Sequence, residues 1–147
     1  IFYYVDILAP AFILGQSIGR WGNFINQEAY GGIVSENFIN KFPDFIKNQM
    51  YIAGNYHHPA FLYESLGNII IFLLLIYLRR KKFIENGDIF AVYLIGYSTA
   101  RFFIEKIRID SLMFGGFMVA RILSIILIGT GFVLILLSIE RMSGSKR

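Results

Sequence analysis

The feature that most constrains this chain is a set of apolar runs near or above the roughly 18 to 20 residues a helix needs to cross a hydrocarbon core about 30 Å thick. Residues 1–18 are apolar apart from Asp6, Gln16 and Ser17, and residues 58–78, 89–107 and 117–139 supply three more such stretches. Composition agrees: 16% of the residues are charged, against roughly 25% in an average soluble domain. The expected fold class is all-α, a polytopic transmembrane helix bundle of about four spans in one membrane domain, residues 1–147. A chain that opens on Ile1 with an apolar run already under way reads as part of a longer protein. It shows neither the charged n-region nor the cleavage site of a signal peptide. With no cysteine, the chain supplies no disulfide, thiolate metal site or cysteine nucleophile.

Between the first two runs, residues 21–57 turn polar and are punctuated by Gly31-Gly32, Pro43 and Gly54. This is too long for a simple turn, so it is expected to carry local structure of its own. Pro59 suits the first turn of the second helix, where its missing N–H would be unpaired anyway. That helix ends at Arg79-Arg80-Lys81-Lys82, and Asn86-Gly87-Asp88 then supplies a stop, a turn and an N-cap for the third. The positive-inside rule places this basic run (loop 79–88) and the tail 140–147 in the cytoplasm, and so puts loop 21–57 outside.

Threaded this way, the chain gathers Arg20, Asn23, Asn26, Glu28, His57, His58, Glu64, Arg101, Glu105, Arg108 and Asp110 at the outer face. Ionisable groups at the edge of a span cost several kcal/mol unless paired or hydrated, so they line a bundle interior or a polar cavity. Arg20 and Arg101 suit an anionic phosphate, because a guanidinium stays charged and offers paired donors, and the anions at hand are lipid headgroups. Each feature also has a structural reading. Arg101 and Glu105, four residues apart, make an intrahelical ion pair. His57-His58 beside Pro59 fits a helix start better than a metal site, since no third ligand is suitably spaced. Gly15 and Gly19 form a small-xxx-small pair that predicts close helix packing. Asp6 needs a partner, and a structural bond to another helix is favoured over proton transfer.

The segment Gly19-Arg20-Trp21-Gly22-Asn23-Phe24-Ile25-Asn26-Gln27-Glu28 resembles the signature of the prolipoprotein diacylglyceryl transferases, close to G-R-x-G-N-F-x-N-x-E. Further matches follow in family order: Asp6 with Ala9-Pro10, His58-Pro59 with Leu62-Tyr63-Glu64, then Tyr97, Arg101-Phe102, Glu105, Arg108 and Asp110. The resemblance implies an enzyme of bacterial lipoprotein maturation. Its partners would be phosphatidylglycerol, a preprolipoprotein signal peptide bearing a lipobox cysteine, and membrane lipids, with no cofactor, metal or nucleic acid. It would move the diacylglyceryl group onto the cysteine thiol and release glycerol 1-phosphate.

Such an enzyme is a multi-pass protein of the bacterial cell membrane, with its active site toward the outer face and its C-terminus cytoplasmic. Carried over residue by residue, Arg20 and Arg101 are the catalytic arginines that hold the phosphate. Asn23, Asn26 and Glu28 shape the headgroup site, and Tyr97, Glu105 and Arg108 form a network around Arg101. The match is to the family's C-terminal half. The family's His-Gly-Gly segment has no counterpart here, so the piece alone is expected to be inactive, and neither histidine takes the role of thiol base. At the last helix the family's Leu-Arg-x-Ala-Gln becomes Phe117-Met118-Val119-Ala120-Arg121, with the arginine three positions later. Two other readings compete: a transporter or channel subunit with Asp6, Arg101 and Glu105 along its path, and a non-catalytic remnant of the enzyme.

Overall fold

The computed structural model describes residues 1–109, 113–114 and 117–144. Its first helix, α1 (Phe2–Ile25), continues past residue 18 into the signature segment, so the loop that follows begins at Asn26. The extension is held by packing: the Trp21 and Phe24 rings lie 5.2 and 4.3 Å from the Phe61 ring. Beyond the helix end the backbone turns sharply, with positive φ at Gln27 (54°) and Ala29 (53°), a conformation uncommon for side-chain-bearing residues.

The segment that follows folds into a small cap, as its length predicts. Strands β1 (Ile33–Val34), β2 (Tyr51–Ile52) and β3 (Asn55–His57) form an antiparallel sheet in the order β1-β3-β2, pairing Ile33 with His57 and Tyr51 with Tyr56. Between β1 and β2 lie two short helices, α2 (Glu36–Ile39) and α3 (Asp44–Gln49). Ser35 caps α2 by accepting the Phe38 N–H at 3.3 Å. Ile39, Ile46, Met50 and Phe61 form the cap's core, with Phe24, Tyr30 and Tyr56 against it. Because Phe24 and Phe61 belong to membrane helices, cap and bundle share one apolar nucleus. Gln49 Nε2 adds bonds to the Phe24 and Ile25 carbonyls, at 3.0 and 2.9 Å.

Three more helices complete the bundle: α4 (Ala60–Leu78), α5 (Asp88–Ile104) and α6 (Val119–Gly144). A hairpin of β4 (Met113–Phe114) and β5 (Phe117–Met118) precedes α6. Helix α5 packs against α1, α4 and α6, and the bundle core is Ala9, Ile13, Leu75, Ile89, Tyr93 and Leu94. Across α1 and α4, Ser17 Oγ donates to the Ser65 carbonyl at 3.0 Å and Trp21 Nε1 to Ser65 Oγ at 3.1 Å. Across α1 and α5, Gln16 Nε2 donates to the Tyr93 hydroxyl at 3.1 Å. Bonds of this kind suit a bundle in which apolar contact is available from lipid as well as from protein.

Helices α1, α4 and α6 are long and apolar enough to cross a membrane. Their outward faces carry large apolar side chains such as Ile18, Ile70, Leu73, Ile125 and Leu136, which suits lipid and not water. Helix α5 has 17 residues, about 25 Å at 1.5 Å per residue, and stops at Ile104 rather than at 107. There the chain peels away to meet the cap: Gly31 bridges to Arg108, and Gly32 N–H donates to the Ile107 carbonyl at 3.0 Å.

Two expectations about helix contacts have opposite outcomes. Asp6 does bond another helix: its carboxylate accepts the Gly87 and Phe90 N–H groups at 2.7 and 2.8 Å, capping α5 from α1. The close packing predicted at Gly15 and Gly19 is not formed among the described residues, since a Cβ at either would meet nothing within 4 Å. The face of α1 that packs carries Asp6, Ala9, Pro10, Ile13 and Ser17 instead. Close approach occurs at Gly131, where a Cβ would lie 2.6 Å from Ile95 Cγ1 and 2.9 Å from the Ala91 carbonyl, drawing α6 onto α5.

Candidate functional site: an arginine cluster around Glu64

At the cap end of the bundle, α1 and α5 finish and α4 begins. Arg20 stands one turn before the end of α1, Arg101 in the last turn of α5, and Glu64 in the second turn of α4. A cation near a helix C-terminus and an anion near an N-terminus both oppose the local end of the helix dipole. Arg108 arrives from the segment after α5, held in place by its bridge to Gly31.

Glu64 is the hub. Its Oε2 lies 2.6 Å from Arg20 Nε, and its Oε1 lies 3.6 Å from Arg101 Nη1 and 3.8 Å from Arg108 Nη1. Arg101 Nη2 lies 3.0 Å from Glu105 Oε2, so the intrahelical pair exists and belongs to the larger cluster. The carboxylates of Glu64 and Glu105 are buried, while the side chains of Arg20 and Arg101 keep 19% and 20% of their surface exposed. Such an arrangement is costly to build from separated ions, and it becomes very unfavourable once one partner is removed. Arg101 Nη1 is buried without a hydrogen-bond acceptor among the described residues, because Glu64 Oε1 is beyond bonding reach. Glu64 Oε1 likewise has no hydrogen-bond donor among the described residues, so the two atoms face each other as an ion pair at 3.6 Å without a direct hydrogen bond.

Of the residues singled out in the sequence, Arg20, Arg101, Glu105 and Arg108 come together here. Tyr97 lies one turn below Arg101 on α5 and stacks on Tyr93, with ring centroids 5.9 Å apart. Asn23 is half-buried on α1, and its carbonyl accepts the Glu28 N–H at 2.8 Å. Asn26 is the exposed C-cap of α1. Glu28 is exposed between the two positive-φ residues, where it lines a cavity of about 260 Å³ with Gln27, Ala29, Tyr30 and Ile109. Asp110 lies outside the described residues.

The two histidines have separate partners. His57 Nδ1 lies 2.9 Å from the Gly31 carbonyl, whereas His58 Nδ1 lies 3.3 Å from the Tyr63 hydroxyl and its ring meets Phe38 edge-on at 4.9 Å. Burial pushes the His58 imidazole below the ordinary histidine value, favouring its neutral form.

The sequence sets Glu64 among the charges gathered at this end, and the fold makes it their hub. The available signal was an acid in the opening turns of an otherwise apolar helix, which demands a cationic partner. Gly31, loop punctuation in the sequence, also has a packing role. A Cβ there would lie 2.5 Å from His58 Cβ and 2.8 Å from Ile107 Cγ2, so only glycine lets the cap approach the end of α5 closely enough to deliver Arg108.

The family model described as prolipoprotein diacylglyceryl transferase matches residues 1–137. Among curated relatives, the phosphatidylglycerol–prolipoprotein diacylglyceryl transferase of Clostridium novyi is 54% identical over 134 residues, covering 91% of this chain and 52% of the relative. The protein of that name from Clostridium botulinum strain Hall is 54% identical over 125 residues, covering 85% and 49%. Its namesake in Bacillus cytotoxicus is 49% identical over 144 residues, covering 97% and 53%. The chain thus spans about half the length of the curated relatives it matches. With signature, ordered motifs and family model all in agreement, the chain belongs to the prolipoprotein diacylglyceryl transferase family.

Proposed function

We propose that this chain is the phosphate-holding part of an enzyme that transfers a diacylglyceryl group from phosphatidylglycerol to the lipobox cysteine thiol of a preprolipoprotein. The supporting observation is the cluster of three guanidiniums drawn from separate segments around Glu64, in which the Arg20 and Arg101 side chains keep 19% and 20% of their surface exposed. The substrates are those in the relatives' names. In this reading a phosphodiester oxygen approaches Arg101 and Arg20, and the guanidiniums balance the charge that grows on phosphate as it leaves. A sulfur–carbon bond forms at the diacylglyceryl carbon while the carbon–oxygen bond to phosphate breaks. The thiol proton is balanced by the glycerol 1-phosphate released. Glu64 and Glu105 act as positioning residues, fixing the arginines before substrate arrives.

The same reading places the cluster at the outer face of a bacterial cell membrane, with residues 79–88 and the tail on the cytoplasmic side, because Arg79 to Lys82 lie at the end of α4 remote from Glu64. Asn23, Asn26 and Glu28 are assigned to the headgroup side, and Tyr97 to the support of Arg101 from below. The transporter alternative needs a polar route through the bundle. Asp6 offers poor support for one, since both its oxygens are engaged by α5 backbone N–H groups.

The test is Arg20→Ala and Arg101→Ala in the full-length protein, assayed for lipid transfer to a lipobox peptide in vesicles. Each is expected to lower kcat/KM by about 10²- to 10³-fold, the usual cost of removing one oriented donor, with membrane insertion unchanged. Full activity in both variants overturns the assignment.

A further inference from the structure

Beside its core the cap carries a corner of large apolar side chains that remain exposed. Phe45 is 56% exposed, Ile25 70% and Trp21 40%. They form one patch: the Trp21 ring lies 6.0 Å from Phe24, and Phe24 lies 6.3 Å from Phe45. Ile25 is beside them, its carbonyl held by Gln49 at the end of α3.

Helix α3 divides its three central residues by environment. Ile46 is buried in the cap core. Lys47 points to the polar side, 3.2 Å from Glu36 and with its Nζ over the Tyr56 ring at 5.5 Å. Phe45 stands on neither side. It continues the outward stripe of α1, in which Leu14, Ile18, Trp21 and Ile25 recur at helical spacing and are all exposed. The height also fits. Exposed Tyr4 and Trp21 are separated by 17 residues, about 26 Å along a helix, close to the thickness of the hydrocarbon core. Tyrosine and tryptophan concentrate at its two boundaries, so Trp21 marks the level at which Phe45 emerges.

We propose that the cap is seated on the bilayer through this corner, with Phe45 inserted beside Ile25 and Trp21 at the boundary between lipid headgroups and acyl chains. The partner is the lipid surface itself, since the patch is continuous with the exposed apolar stripe of α1, a helix long and apolar enough to cross a membrane, while Lys47 of α3 is turned to the polar side with Glu36. The seat would keep the arginine cluster at headgroup height. It rests on α1 spanning the membrane and is independent of the transfer chemistry.

Nitroxide labels at positions 45, 25 and 36 of the full-length protein, one at a time in lipid nanodiscs, test this through collisions with oxygen and with a water-soluble nickel chelate. Labels at 45 and 25 should meet oxygen several-fold more than nickel, with the reverse at 36. Nickel access at 45 equal to that at 36 would mean the cap stands clear of the membrane. Shielding of 45 from both quenchers would mean protein covers the corner. Either result overturns the proposal. Should the label disturb the cap, Phe45→Trp gives a second measurement. The fluorescence it adds should be quenched more by lipids brominated near the headgroup than near the chain end, and the opposite order or no quenching also overturns it.

Discussion

Asp6 and Glu64 are both buried carboxylates in apolar helices, and they sit near opposite ends of α5, yet they are neutralised by different kinds of donor. Asp6 is held by two backbone N–H groups at the start of α5, fixed dipoles that its two oxygens consume completely. Glu64 is held by cationic side chains from three segments, one at 2.6 Å and two at 3.6 to 3.8 Å, so its charge is balanced by groups that distant parts of the chain bring together. A carboxylate that closes a helix end is architecture. One that gathers guanidiniums from three segments sets up the anion site proposed above.

The sharpest attempt to break this contrast is Glu64→Leu. It should cost about 3 to 5 kcal/mol, the range for a buried ion cluster stripped of one partner, measured by denaturant unfolding in micelles. Unchanged stability would show that Glu64 is not the counter-ion of the cluster. Gly31→Ala probes the joint that brings Arg108 in. Overpacking against His58 and Ile107 should cost about 1 to 3 kcal/mol and lower transfer activity as well, checked by unfolding and by the vesicle assay. Asp6→Ala should cost about 0.5 to 2 kcal/mol, as for other lost N-caps, with a smaller effect on activity than either arginine variant. A loss of activity as large as theirs would move Asp6 from architecture to chemistry. Gly15→Ala should be neutral or stabilising by up to about 1 kcal/mol, since alanine outranks glycine in a helix and the position is open. Marked destabilisation would reveal a packing partner at that face.

Much of this was legible in the sequence because its causes act along the chain. Apolar runs announced the helices, the acid at position 6 announced a partner in another helix, and the signature around Arg20 announced the family. The misreadings have a common origin. Gly15 and Gly19 carry the spacing of a packing motif, but spacing does not say which face of α1 turns inward, and the polar seam through Ser17 and Ser65 turned the other one. The first helix outran its apolar stretch because Trp21 and Phe24 found Phe61, a contact between residues some forty positions apart. In the sequence Glu64 is one charge among several at that end, and its central place comes from the three arginines that reach it.

By itself, the sequence determined the solvent this protein folds in, the family it belongs to and the end of the molecule at which its charges collect, since hydropathy and residue order are properties of the linear chain. Tertiary structure alone decided that Glu64 is the centre of the arginine cluster, that Gly31 must lack a side chain, and that Phe45 emerges beside Trp21. Those outcomes depend on helix rotation, on register between antiparallel elements and on the folding of the cap, and such quantities are set when distant surfaces meet.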